Sequence, residues 1–263
     1  QATAAFEGPV ALDFFSGSGN MSSAWRKQMA RYNVRVFEMD LKHGSQFDCS
    51  RKHVRKLLLS WIRGGLIVAI WMGTPCSSWT LARRGPLDGS GPPPPLRSSS
   101  HPMGLPNLKE KDQEKVAMGN SLMRFSATVF RLCYQLDVPV ALETPLSSRI
   151  WSCQTMSSIL SLSQVKSGFT DFCMDNMPWR KRTRIMYANC DLSWCFKQCS
   201  SARGLCDNTG EKHVYLCGKR DGVFWTLIAE PYPRQPCHRI AKAICSAILA
   251  RRAKRLESVM MPD

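Results

Sequence analysis

An α/β fold built around a largely parallel sheet is what this sequence predicts, on three observations. Apolar runs of strand length recur at 10–15, 34–37, 66–72 and 138–142, short and continuous as strands buried on both faces are. Segments with helical periodicity separate them at 21–31, 51–62 and 109–136, the alternation that gives βαβ units. Each run also ends in a turn of small, polar or reactive residues, at the edge where open α/β sheets bind ligands.

Size and charge set the frame. The 263 residues, 44% hydrophobic, suffice for one large domain or for one domain with a small appendage. A net charge of +16, spread along the chain, points to a polyanionic partner, most simply nucleic acid. No apolar run approaches the roughly 20 residues of a membrane span, and no export leader opens the chain. The expectation is therefore no membrane partner and an intracellular protein, nuclear in a eukaryote and otherwise cytoplasmic. The twelve cysteines are then read as reduced thiols, some of them available to a metal. A start at Gln1 and an end at Pro262-Asp263 predict a segment of a longer polypeptide.

The first run, Val10 to Phe15, leads directly into Ser16-Gly17-Ser18-Gly19-Asn20 and a helix. Strand, glycine turn and helix open a nucleotide-binding unit, because glycines let the backbone approach a ligand at a helix N-terminus. The second strand ends in Glu38-Met39-Asp40, and a carboxylate at that distance from the glycines suits ribose hydroxyls. Asp48 follows in a loop before the helix at 51–62, whose Val54, Leu57, Leu58 and Trp61 mark a core face. The third strand, 66–72, runs into Gly73-Thr74-Pro75-Cys76. Pro75 fixes its own φ and disfavours helix at Thr74, so the Cys76 thiol is aimed in a defined direction at a strand's carboxyl end.

Residues 81–106, with Arg83-Arg84 and four consecutive prolines, predict a long mobile loop beside Cys76 that closes over a polyanion. Beyond the helix at 109–136, the strand at 138–142 finishes in Glu143-Thr144-Pro145, again at the carboxyl edge. The segments 155–162 and 165–173 predict a short helix and a strand. Arg180-Lys181-Arg182-Thr183-Arg184 then opens another strand, where alternation puts the three arginines on one face. Residues 190–217 are rich in Cys, Gly and charge, and 238–254 predict a helix.

The ordered set D-x-F-x-G-x-G at Asp13 to Gly19, E-x-D at Glu38 to Asp40, P-C at Pro75-Cys76, E-T-P at Glu143 to Pro145 and R-x-R-x-R at Arg180 to Arg184 resembles the cytosine-5 DNA methyltransferase family. Its short phage and mobile-element forms are nearest in style. The resemblance implies a Rossmann-like, S-adenosylmethionine-dependent methyltransferase fold of the seven-stranded type. It divides the chain into a catalytic domain at 1–185, a small Cys-rich target-recognition region at 186–230 and a C-terminal helix at 231–263 that returns to the first. Cofactor contacts would come from Asp13, Phe15, Gly17, Gly19, Asn20, Glu38, Asp40, Asp48 and Pro75. Cys76 would be the nucleophile and Glu143 the acid, with Arg182 and Arg184 on the base. Ser78, Arg83, Arg84 and Arg180 would meet DNA. Two rivals are an RNA-methylating relative and a catalytically silent nucleic-acid-binding module of a mobile-element or chromatin protein.

Where the family has Gln and Phe after the nucleophile, this chain has Ser77 and Trp79. Its recognition region is also short, which implies brief or relaxed sequence specificity. Within it, Cys195, Cys199, Cys206 and His213 offer a ligand set for one structural zinc, with Cys190 or Cys217 as substitutes; unliganded thiols are the alternative.

Overall fold

A computed structural model describes residues 8–86 and 92–260. The expectations attached to Gln1, to Pro262-Asp263 and to the middle of the 81–106 loop lie outside the described residues. The chain runs β1 (Val10–Phe14), α1 (Asn20–Met29), β2 (Arg35–Met39), α2 (Lys52–Arg63), β3 (Ile67–Met72), α3 (Glu110–Gln135), β4 (Val140–Pro145), α4 (Gln154–Leu160), β5 (Lys166–Asp171) and β6 (Arg182–Ala188). A two-stranded ribbon, β7 (Lys219–Arg220) with β8 (Val223–Phe224), follows, then α5 (Trp225–Ile228) and α6 (Arg234–Met260).

Six strands form the main sheet in the order β2-β1-β3-β4-β6-β5. The first four are parallel, and β6 runs antiparallel to both β4 and β5. This is a Rossmann-like α/β architecture, with six strands in the main sheet among the described residues. Successive side chains alternate between the two faces. Leu12, Phe14, Ile70, Met72 and Leu142 pack under α2, α3 and α4 against Val54, Leu58, Met123 and Phe130. On the other face the strands contribute Ala11, Ala69 and Ala141, which let α1 and α6 lie close through Met21, Trp25, Ile240 and Ile244.

Two devices fix the carboxyl edge of the sheet, where the candidate residues lie. The glycine turn after β1 places Gly17 and Gly19 at φ of 50° and 74°, where a Cβ is disfavoured. After β3, the Thr74 hydroxyl bonds to Ser126 of α3 at 3.0 Å, so the turn leading to Cys76 is pinned to the helix beneath it. No described helix is long and apolar enough to cross a membrane.

Candidate active site

The cofactor residues expected at the ends of β1 and β2 divide into those that build the turn and those that face outward. Asp13 is buried on the α1 face, and its Oδ2 accepts from the backbone N–H and the hydroxyl of Ser22 at 3.0 and 2.5 Å. It thereby satisfies a donor in the first turn of α1. Burial, reinforced by the nearby charge of Glu38, pushes the Asp13 carboxyl up to about 7. Asp40 receives the Gly17 N–H at 3.0 Å and the Lys42 N–H at 3.0 Å, so it clamps the glycine turn. The Asn20 side chain donates to the Tyr232 carbonyl at 2.7 Å, which ties the start of α1 to the segment before α6.

Glu38 stands beside Gly19, where a Cβ would lie 3.1 Å from its Oε2. Partial burial works to raise its pKa, but Arg26 and His43 outweigh burial and keep the carboxyl below its usual range. Hydrogen bonds from Ser50, with Arg51 nearby, likewise lower Asp48. Phe15, at φ 60°, lays its ring on Phe14 with centroids 3.9 Å apart. Pro75 is half-buried in the turn before Cys76.

This end of the sheet fits S-adenosylmethionine. Asp13 Oδ1 and Ser16 Oγ are buried without a hydrogen-bond partner, as groups awaiting a polar ligand would be. Glu38, held anionic, and Asp40 also bring carboxylates here in a chain of net charge +16, which suits a sulfonium.

Cys76 follows β3 and Glu143 lies in the second half of β4, two neighbouring parallel strands paired at Met72 and Leu142. Cys76 is half-buried, and burial pushes its thiol up to about 11, with Glu143 adding to the rise and Lys181 opposing it. Glu143 lies on the α6 face, lining a narrow cavity with Met21, Trp71, Ile185 and Cys237. Burial raises its pKa, against the Lys181 charge and hydrogen bonds from Tyr232 and Thr183. The Tyr232 hydroxyl donates to Glu143 Oε2 at 2.6 Å. That hydroxyl also lies 2.7 Å from where a Gly73 Cβ would be, and the Phe15 carbonyl lies 2.9 Å from the same point. Tyr232 thus joins the Glu143 carboxyl, the β3 exit and the glycine turn. Sequence reasoning passed over it as a site residue, although its Tyr-Pro step before the last helix was visible.

The structure does not bring Arg182 and Arg184 to Glu143. Glu143 is paired with Ile185, so residues 183 and 185 share its face and the arginines take the other. Arg182 makes a bidentate pair with buried Asp171, both bonds 2.7 Å, and Arg184 donates to the Ser167 hydroxyl above the Trp151 ring. Lys181 instead reaches the Glu143 side, with its ammonium on the carbonyls of Ala229 and Glu230 at 2.8 and 3.3 Å.

The expected DNA contacts also sort unequally. Ser78 is buried, and its hydroxyl and carbonyl are both taken by Arg97 at 3.0 Å. Arg97 lies over the Trp79 ring and donates further to Asn120 and the Pro102 carbonyl. This packing fastens residues 96–102 to the domain, where composition predicts a mobile cover. Arg83 is bound to the Pro94 carbonyl and lies 3.5 Å from Asp112, while Arg84 is exposed. Arg180 is half-buried, 3.6 Å from Asp171.

Among the expected metal ligands, Cys199, Cys206 and His213 come together, but Cys195 does not join them. Cys195 is buried in the α6 core beside Leu192, and its place is taken by Cys173, from the turn after β5. Neither Cys190 nor Cys217 belongs to the cluster. A ligand 26 residues upstream left no local spacing signal.

No protein-family profile matches the sequence, and no curated protein matches it. Among solved structures, a methyltransferase of Entamoeba histolytica, EhMeth, is similar at a TM-score of 0.40 and 10% identity, over 98% of this chain and all of that one. A likeness of that size says nothing of chemistry, which rests on the residues at the sheet edge.

Proposed function

We propose that this chain is an S-adenosylmethionine-dependent methyltransferase acting on carbon 5 of cytosine in DNA. The observation that carries the reading is a thiol and a carboxyl of raised pKa at the ends of adjacent strands, Cys76 and Glu143, both within reach of the Lys181 charge. Cytosine carbon 5 is a poor nucleophile until a group adds to ring carbon 6, and a thiolate is the side chain best suited to add. A thiol with a pKa near 11 ionises sparingly at neutral pH, so its surroundings decide whether it can react. An anionic Glu143 would oppose ionisation. A protonated Glu143 removes that opposition and holds the proton that ring N3 needs as the ring accepts electrons. Tyr232 orients the carboxyl through Oε2, and Lys181 favours the thiolate.

When bound, the cofactor supplies an electrophilic methyl group on a sulfonium. Phe15, Gly17, Gly19, Glu38 and the unpartnered Asp13 Oδ1 would hold it, with Asp13 and Asp40 keeping the turn in shape. Lys181 and Thr183 share Glu143's side of β6 and would face the base in the role that the resemblance gives to Arg182 and Arg184. Exposed Arg84, and Arg180 beside its Asp171 partner, would meet phosphates, and the Cys-rich segment would read the target. The base must leave the duplex to reach a half-buried thiol.

The test is transfer of labelled methyl from S-adenosylmethionine to duplex DNA and, separately, to tRNA. Incorporation at cytosine carbon 5 of DNA that disappears in Cys76→Ala is expected. Transfer to tRNA alone overturns the substrate, and full transfer by Cys76→Ala overturns the mechanism.

A further inference from the structure

Cys173, Cys199, Cys206 and His213 converge from two segments far apart in the chain, and their ligand atoms all lie within 4.8 Å of one another. The three thiols are buried and none forms a disulfide. Zinc held at about 2.3 Å from sulfur and about 2.0 Å from nitrogen sets tetrahedral ligands roughly 3.5–3.8 Å apart. The Cys199 Sγ to His213 Nε2 separation is already 3.7 Å.

Backbone donors are aimed at two of the sulfurs, and the imidazole is held from its far side. The Asp207 N–H points at Cys199 Sγ from 3.5 Å, and the backbone N–H groups of Asn208 and Thr209 serve Cys206. The turn that aims them closes through the Gly210 N–H on the Cys206 carbonyl at 2.8 Å, with Gly210 at φ 71°. His213 Nδ1 faces the Ser201 hydroxyl at 3.4 Å, a contact that leaves Nε2 for a metal. Three thiolates and a neutral imidazole around a divalent cation carry one net negative charge. The Arg182 guanidinium, which donates to the Cys199 carbonyl at 3.0 Å, lies beside it.

The segment also has little apolar support of its own, chiefly Leu216, Trp225 and Ile228 packed beside Trp179. Among the described residues from 197 to 228, Cys199 and Cys206 are the only buried ones. A segment with so few buried side chains gains from a staple, and a structural metal is the staple these four side chains can make.

We propose that Cys173, Cys199, Cys206 and His213 bind one structural zinc ion that fastens the Cys-rich segment to the end of β5. All four positions of a tetrahedron are filled by protein, so the ion has no open site for catalysis. Through the Cys199 backbone, which also donates to Asp171 at 2.8 Å, it would hold the Asp171–Arg182 pair in register.

The test is elemental analysis of the full chain purified with reductant and without chelator, alongside Cys173→Ser, Cys206→Ser and Cys195→Ser. One zinc per chain is expected in the unmodified protein and in Cys195→Ser, and none in the other two. Cobalt exchange into the unmodified protein provides a readout independent of how the variants fold, with intense visible absorption of a tetrahedral thiolate site expected. Folded protein without zinc overturns the proposal, as does zinc retained by Cys173→Ser and Cys206→Ser or a cobalt spectrum of octahedral type.

Discussion

The main sheet and the Cys-rich segment that follows it are held by different physics. Between β1 and β6, strands and helices bury side chains on both faces, and support is distributed over many apolar contacts. From 197 to 228, Tyr215 is 85% exposed and Leu227 is 57% exposed, while order comes from individual bonds such as Ser200 to Asp207. Distributed support tolerates the loss of any one small contact but registers the loss of a large side chain. Support from a few ligands depends on each of them.

The largest expected effect lies in the sheet region. Phe130→Ala removes a fully buried ring under the sheet and should cost about 3–5 kcal/mol in urea unfolding. A cost below 1 kcal/mol would break the contrast.

Next comes the buried carboxyl that is out of keeping with that apolar core. The Asp13 pKa is about 7 in the folded chain against 3.8 for the free group. Below about 4 both states keep the proton, whereas between about 4 and 7 the folded state holds it and the unfolded state does not. Stability should therefore fall as pH rises through that window, by at most about 4 kcal/mol from this group. Asp13→Asn should flatten the pH profile; an unchanged slope would remove Asp13 as its cause.

Arg97→Ala tests whether the 92–106 segment is held by a few bonds. It strips partners from Ser78 and Asn120 and should cost about 1–3 kcal/mol, with new protease cleavage near 96–102. Protection equal to that of the unmodified chain would contradict this. The smallest effect belongs to Tyr215→Ala, expected to change stability by less than about 0.5 kcal/mol.

The same division governs what could be read from the sequence. Val10 to Phe14, Ile67 to Met72 and the face of α3 were legible because period and length encode burial directly. Cys76, Glu143 and the glycine turn were legible because each follows a strand that could be recognised. The facing of Arg182 and Arg184 was not, since alternation shows that they share a face but not which one; the partner strand β4 decides that. Arg97 was hidden in a proline-rich stretch whose composition predicts a loop and says nothing about a cation stacking on Trp79. Cys173 was hidden because a ligand set is assembled by the fold, and the nearer Cys195 fitted the spacing equally well.

The central claim is that Cys76 adds covalently to cytosine with Glu143 as the acid. Duplex DNA carrying 5-fluorocytosine blocks loss of the group at carbon 5, so enzyme and DNA should remain joined when S-adenosylmethionine is present. A denaturation-resistant adduct is predicted for the unmodified chain and none for Cys76→Ala. Glu143→Gln should form it roughly 10²–10⁴-fold more slowly. Active enzyme that forms no adduct, or an adduct that persists in Cys76→Ala, would contradict the account.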